Sequence, residues 1–178
     1  SVRLTAGDWS MSQPFNLVKD PRVTTSNDGL KAQFNLQQQI YDKMNAMIKA
    51  VNQIRDLKKQ LEGWSKRLKD HARGAEVAEA AKALTAKLTA VENALVQSEF
   101  KSMGDSLNYR EMLIEKLSSL PSVVGSADKA PTKQSYAVFD KLAGQADAQL
   151  AALKGVLAED LAAFNNLLGS LEVGMVVA

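Results

Sequence analysis

From Ile40 to Leu68 the apolar residues Ile40, Met44, Met47, Val51, Ile54, Leu57, Leu61, Trp64 and Leu68 recur at steps of three and four, with one extra step of three. That spacing is the seam of a long helix packed in coiled-coil fashion. Upstream, Leu30 and Phe34 extend the stripe, and in "DPRVTTSNDGL" Pro21 holds Asp20 out of the helical region while Thr25, Ser26, Asn27 and Asp28 are competent N-caps. The spacing predicts a helix from Ser26 to Asp70, roughly 65 Å long at 1.5 Å per residue. A compact globule of this size has no use for such an element, so the chain should form a rod.

Two further legs follow. "DHARGAE" ends the first helix, with Gly74 expected as a left-handed stop, and Val77, Ala81, Leu84, Leu88, Val91 and Leu95 define the next stripe. In "SMGDSLNY", Gly104 supplies a stop and Asp105-Ser106 a fresh cap. A short helix should then resume over Leu107 to Leu120, carrying Leu113, Leu117 and Leu120. "PSVVGSADKAPT" reads as a loop, and Pro131 introduces a last helix with the stripe Tyr136, Phe139, Leu142, Ala146, Leu150, Leu153, Leu157, Leu161, Phe164 and Leu168.

The legs Ser26 to Asp70, Gly74 to Leu120 and Thr132 to Gly169 hold about 45, 47 and 38 residues. Three legs of similar length with short connections make a mainly α fold, an elongated up-down-up antiparallel bundle whose middle leg is broken near Gly104. A true reversal at Gly104 to Leu107 would instead give four unequal helices. Residues 1–20 form an N-terminal β-hairpin, 21–170 the bundle, and 171–178 an apolar, β-prone tail. The tail could pair with the hairpin, pack on the bundle or begin a further element.

In the hairpin, Val2 and Leu4 alternate with Ser1, Arg3 and Thr5, Gly7-Asp8 supplies the turn, and Phe15 and Leu17 alternate with Asn16 and Val18 in the second strand. Two strands rarely persist alone in water. The hairpin is therefore expected to dock on the bundle or to pair with another copy, and its abrupt start suggests a piece cut from a longer protein.

Composition sets limits on chemistry. The 178 residues are 46% hydrophobic and 24% charged, with no cysteine, which removes thiolate catalysis, disulfides and thiolate zinc sites. No apolar run is long enough to span a bilayer. The net charge of +2 is split, with 12 Lys/Arg against 7 Asp/Glu up to Asp70 and 10 against 13 beyond it. Helices of complementary charge account for that split better than nucleic acid does.

No constellation states a reaction. The single histidine, His71, sits at a helix end, which excludes the paired Glu-x-x-His sets of di-metal bundles, and no Gly-rich phosphate loop occurs. Glu159 and Asp160 are adjacent on a helix and cannot face each other across a cleft. Neither a catalytic residue nor a cofactor or metal ligand is therefore expected. The basic cluster Arg55, Lys58, Lys59, Lys66, Arg67 and Lys69, with Trp64 among it, is the candidate surface for an anionic partner such as a membrane or acidic polysaccharide. Asp56, Glu62 and Asp70 interrupt its charge, and Trp64 also fits the apolar seam, so a solvated helix face is the plainer reading. Met44 and Met47 read as core filler.

Three stretches, "VRLTAGDWSMSQPFNLVKDPRV", "GDSLNYREMLIEKLSSL" and "APTKQSYAVFDKLAGQADAQLAALKGVLAEDLAAFNNLL", resemble the C-terminal region of large bacterial sortilin-like proteins that carry BNR/Asp-box β-propeller repeats and are described as glycosyl-hydrolase-like. The resemblance runs from Val2 to about Leu168. It implies that residues 1–18 are the closing strands of an Ig-like β-sandwich, that the setting is periplasmic or extracellular, and that any catalytic site lies in a propeller outside this chain. Where the family has Asp-Pro-Leu-Asn, this chain has Asp105-Ser106-Leu107-Asn108, without the rigid turn. The expected role is a non-catalytic interaction or spacer module. Its partner would be the rest of its own polypeptide, with a homodimer favoured if an apolar seam stays exposed. A membrane-surface or polysaccharide contact through Lys58 to Lys69 is the competing reading.

Overall fold

A computed structural model describes residues 1–177, the side chain of Met103 excepted. The chain is a mainly α bundle with a two-stranded antiparallel hairpin at its N-terminus. Strands β1 (Val2–Ala6) and β2 (Trp9–Gln13) pair with Ala6 opposite Trp9 and Val2 opposite Gln13. The loop between them is Gly7-Asp8 alone. Gly7 has a φ of +58°, which places glycine at the first central position, as a type II′ hairpin turn requires. The second strand is thus Trp9–Gln13 and not Phe15 to Val18: a two-residue turn puts the return strand directly after it, and Pro14 brings no N–H to continue the ladder.

Register puts Val2, Leu4, Ala6, Trp9 and Met11 on one face of the hairpin and Arg3, Thr5, Ser10 and Ser12 on the other. The expectation that this apolar face docks on the bundle is not met, since residues 1–22 are exposed throughout and Leu4 is 67% accessible. The bundle closes its core with its own three legs.

The first leg is α1 (Asn27–Arg67), capped by Ser26, whose side chain accepts from the Gly29 N–H at 3.1 Å. The middle leg comprises α2 (Gly74–Leu95), α3 (Leu113–Ser118) and α4 (Leu120–Val124). Helix α5 (Lys133–Val156), a π-helical turn over Leu157–Leu161 and α6 (Ala162–Gly169) make the third leg. Helices α1, α2 and α5 pack on one another, while α3 and α4 continue the packing of the middle leg against α1 and α5. At the far end of that leg, the Gln33 side chain donates to the carbonyls of Val124 and Ala127, both at 2.7 Å. The middle leg therefore ends beside the start of α1. It does not reverse at Gly104, so the up-down-up topology holds.

The expected seams fill the core almost residue for residue on the first two legs. Ile40, Met47, Val51, Ile54, Leu57 and Leu61 of α1 meet Val77, Ala81, Leu84, Leu88, Val91 and Leu95 of α2. Met44 and Trp64 pack at its margin. Two stripe ends shift: Phe34 is exposed and Leu36 is buried in its place, and Tyr136 faces solvent while Ser135 is buried. On the third leg, Leu153 and Leu161 are both buried although eight residues apart, because the π-helical turn between them absorbs one extra residue.

Several local expectations are corrected. Gly74 has no positive φ and is the first residue of α2; its lack of a side chain serves the close passage of the Leu68 carbonyl. The break in the middle leg runs over residues 96–112, starting where Val96 turns extended at φ −136° rather than at Gly104. Helix resumes only at Leu113 because Glu115 staples the detour shut, its carboxylate accepting from the N–H groups of both Gln97 and Met112. Within the detour a 3₁₀ turn (Met103–Leu107) is capped by Ser102, whose N–H and hydroxyl both donate to Asp105, not by Asp105-Ser106. Finally, "PSVVG" begins as helix α4, since Pro121 in a first turn needs no N–H partner.

Candidate functional site

The basic residues of α1 are sorted by the fold into different surroundings. Arg55, Lys58 and Lys59 line an open groove of about 590 Å³ between α1 and α2, together with Glu62 and Ser65 of α1 and Ala78, Ala81, Lys82 and Thr85 of α2. The alanines make a flat floor that brings the two helices close. The lysine stems and Arg55 form a cationic rim, in which Glu62 is the one carboxylate.

At one end of this groove Glu92 of α2 is buried and accepts from Arg55 Nε at 2.7 Å and from Lys58 Nζ at 2.9 Å. Burial disfavours its charge, but the hydrogen bonds from Arg55 and Lys58 outweigh that cost and hold its carboxyl below the usual carboxylate range. Glu92 thereby orients two of the groove's cations. Lys43 to Asp147, like the Glu92 pairs, joins a cation of α1 to a carboxylate of a later leg, as the split charge suggests, while Lys87 to Asp160 at 2.6 Å ties the middle leg to the third.

The other members of the cluster do not share this groove. Lys66 pairs with Glu62 at 2.6 Å and Lys69 with Asp70 at 3.8 Å, both on the exposed surface. Arg67 lies over the Trp64 ring, 5.2 Å from its centroid. Trp64 and Arg67, with Lys59, Gln60, Gly63 and Met175, line a separate cleft of about 330 Å³ against the C-terminal tail. Lys59 is common to both.

Lys82 and Glu92 were not marked by the sequence pattern of α1 because they belong to the facing helix. The chance of finding them lay in pairing α1 with α2 in antiparallel register, where Glu92 falls opposite the Arg55 to Lys58 turn.

Among the described residues no group of three or more His, Cys, Asp and Glu gathers as a metal site, and no helix is long and apolar enough to cross a membrane. His71 accepts a hydrogen bond at Nδ1 from the Arg73 N–H at 3.1 Å and shapes the turn between α1 and α2. What the groove offers chemically is multivalent contact with an anion over an apolar floor. No protein-family model matches the chain, and no curated protein or solved structure matches it either.

Proposed function

We propose that the chain is a non-catalytic helical spacer and interaction module, standing at the C-terminal end of a larger exported β-propeller protein. The observation that carries this reading is where the two ends of the chain leave the bundle. The connector to the hairpin meets the bundle beside Asp128, through a hydrogen bond from Thr25, whereas the tail lies against Gln60 at the opposite end of α1. Thirty-odd helical residues separate those points, or about 50 Å. A stiff three-legged rod attached at its hairpin end holds whatever binds near its far end at a fixed distance from the rest of the polypeptide.

The hairpin supports the same reading, since its solvated apolar face is suited to a sheet provided by the rest of the polypeptide. On α1, Phe34, Tyr41 and Ile48 are exposed at steps of seven, a stripe suited to a partner helix. The resemblance to sortilin-like proteins supplies the exported setting.

The absence of cysteine makes the test direct. Dyes placed on single cysteines introduced at Ser26 and Ser170 should report one long, narrow distance that salt does not change. A broad or short distribution would refute a rigid spacer.

The groove between α1 and α2 favours a second reading, an anionic-surface module. Cosedimentation with vesicles rich in phosphatidylserine, or retention on an acidic polysaccharide, should then occur at low salt, weaken as salt rises and be lost in Lys59→Glu with Lys82→Glu.

A further inference from the structure

We infer that the cleft between α1 and α6 is a binding site for an extended peptide, filled by the chain's own tail and able to take the same segment from a second copy of the chain. The inference starts from how residues 176 and 177 are held. Asn165 of α6 donates from Nδ2 to the Val176 carbonyl at 3.0 Å and accepts from the Val176 N–H at 2.8 Å. Gln60 of α1 does the same for Val177, donating to its carbonyl at 2.9 Å and accepting from its N–H at 3.0 Å.

Each side-chain amide thus imitates one peptide unit of a neighbouring strand, and the two act on successive residues from opposite walls of the cleft. Successive residues of an extended chain point their N–H and C=O groups to alternate sides, so the pair of amides selects extended backbone. Side chains alternate in step. Val176 is 3% exposed, whereas Met175 and Val177 are open to solvent. Main-chain groups give the grip and one buried aliphatic side chain gives the choice of residue, which is the division of labour in strand-addition peptide sites.

A second observation favours exchange between copies. To fold back into its own cleft, the chain must reverse at the end of α6 with Glu172 at φ +57°, the one non-glycine residue with positive φ among the described residues. The Glu172 N–H bonds to Gly169 O and the Val173 N–H to Leu168 O, the hydrogen-bond pattern of a Schellman reversal whose left-handed position ordinarily holds glycine. A tail supplied in trans makes the same contacts without that unfavourable backbone at the receiving chain. Gly174, lying against the Trp64 ring, leaves the connection pliable.

The test uses the full chain in a Trp9→Phe background, so that Trp64 beside the tail is the sole tryptophan. Val176→Asp ejects the tail, with retained helical circular dichroism as the folding control and Val176→Ser as the milder variant should the first unfold. A synthetic peptide of residues 171–177 should then change Trp64 emission saturably, with a midpoint in the millimolar range or below, matching the effective concentration of a short tether. Adding Gln60→Ala and Asn165→Ala should abolish saturation. In the chain with its tail intact, Glu172→Gly should weaken peptide entry by up to about fivefold, the ceiling set by a net gain of at most about 1 kcal/mol in the folded-back form.

A tail-bearing chain lacking both amides and both tryptophans should reproduce the effect of the peptide at comparable concentrations. A linear, non-saturating peptide response, or saturation that survives loss of both amides, overturns the site. Saturation by peptide without any by the donor chain overturns the second copy as its occupant.

Discussion

Gly74 and Leu68 approach so closely at the turn between α1 and α2 that a Cβ on Gly74 would overlap the Leu68 carbonyl oxygen. The overlap is with backbone, which cannot swing aside as a side chain would. The tight turn lets α2 start three residues after His71 and brings its apolar stripe into register with that of α1 at once.

Replacing Gly74 by alanine is therefore expected to cost about 2–3 kcal/mol, as overpacking against fixed atoms does. Gly144, exposed in the middle of α5 with nothing near its missing Cβ, should behave oppositely and gain up to about 1 kcal/mol as alanine. Urea midpoints of the two variants, measured side by side, check the contrast. Equal effects would mean that the close approach at Gly74 does not exist.

The Glu92 pair gives a pH dependence of known sign. Its folded-state pKa lies below the ordinary carboxylate value, so its stabilisation is complete above about pH 5 and is lost as the pH falls through the folded value. Arg55 and Lys58 are partly exposed and can return to water, which limits the loss on Glu92→Gln to about 1–2 kcal/mol at neutral pH. Denaturation of wild type and variant across pH 3 to 7 should show the difference shrinking toward the acid end. A gap that stays constant would remove the carboxylate's charge from the explanation.

Glu172 should be improved by glycine. Relief of a left-handed non-glycine backbone is worth about 1 kcal/mol, less the added freedom of glycine in the unfolded chain. Thermal melts of Glu172→Gly should rise by a few degrees, and a fall would show that the Glu172 side chain contributes more than its backbone costs.

How far the sequence carried the fold can be seen at particular residues. The α2 stripe from Val77 to Leu95 is buried throughout, since a regular helix against two neighbours leaves periodicity little to compete with. Leu36 in place of Phe34, and Ser135 in place of Tyr136, were not legible, because near a leg's end the facing helix decides which side is covered. The turn at Gly7-Asp8 is readable, yet apolar alternation points to a return strand at Phe15, past a proline that closes the ladder, whereas pairing begins at Trp9. Arg55, Lys58 and Lys59 were marked by charge alone. Their division from Lys66 and Lys69 depends on carboxylates brought from α2 and from neighbouring turns. Gln60 and Asn165, polar residues with no motif around them, acquire meaning only when the tail lies between them.

In the proposed spacer role the length of the rod is its working property, and solution X-ray scattering measures that length. Helix α1 alone spans 41 residues, so the maximum dimension should be at least about 60 Å, with a skewed distance distribution that is the same at low and high salt. A radius of gyration near 16 Å with a symmetric distribution, the signature of a compact globule of this length, would contradict it.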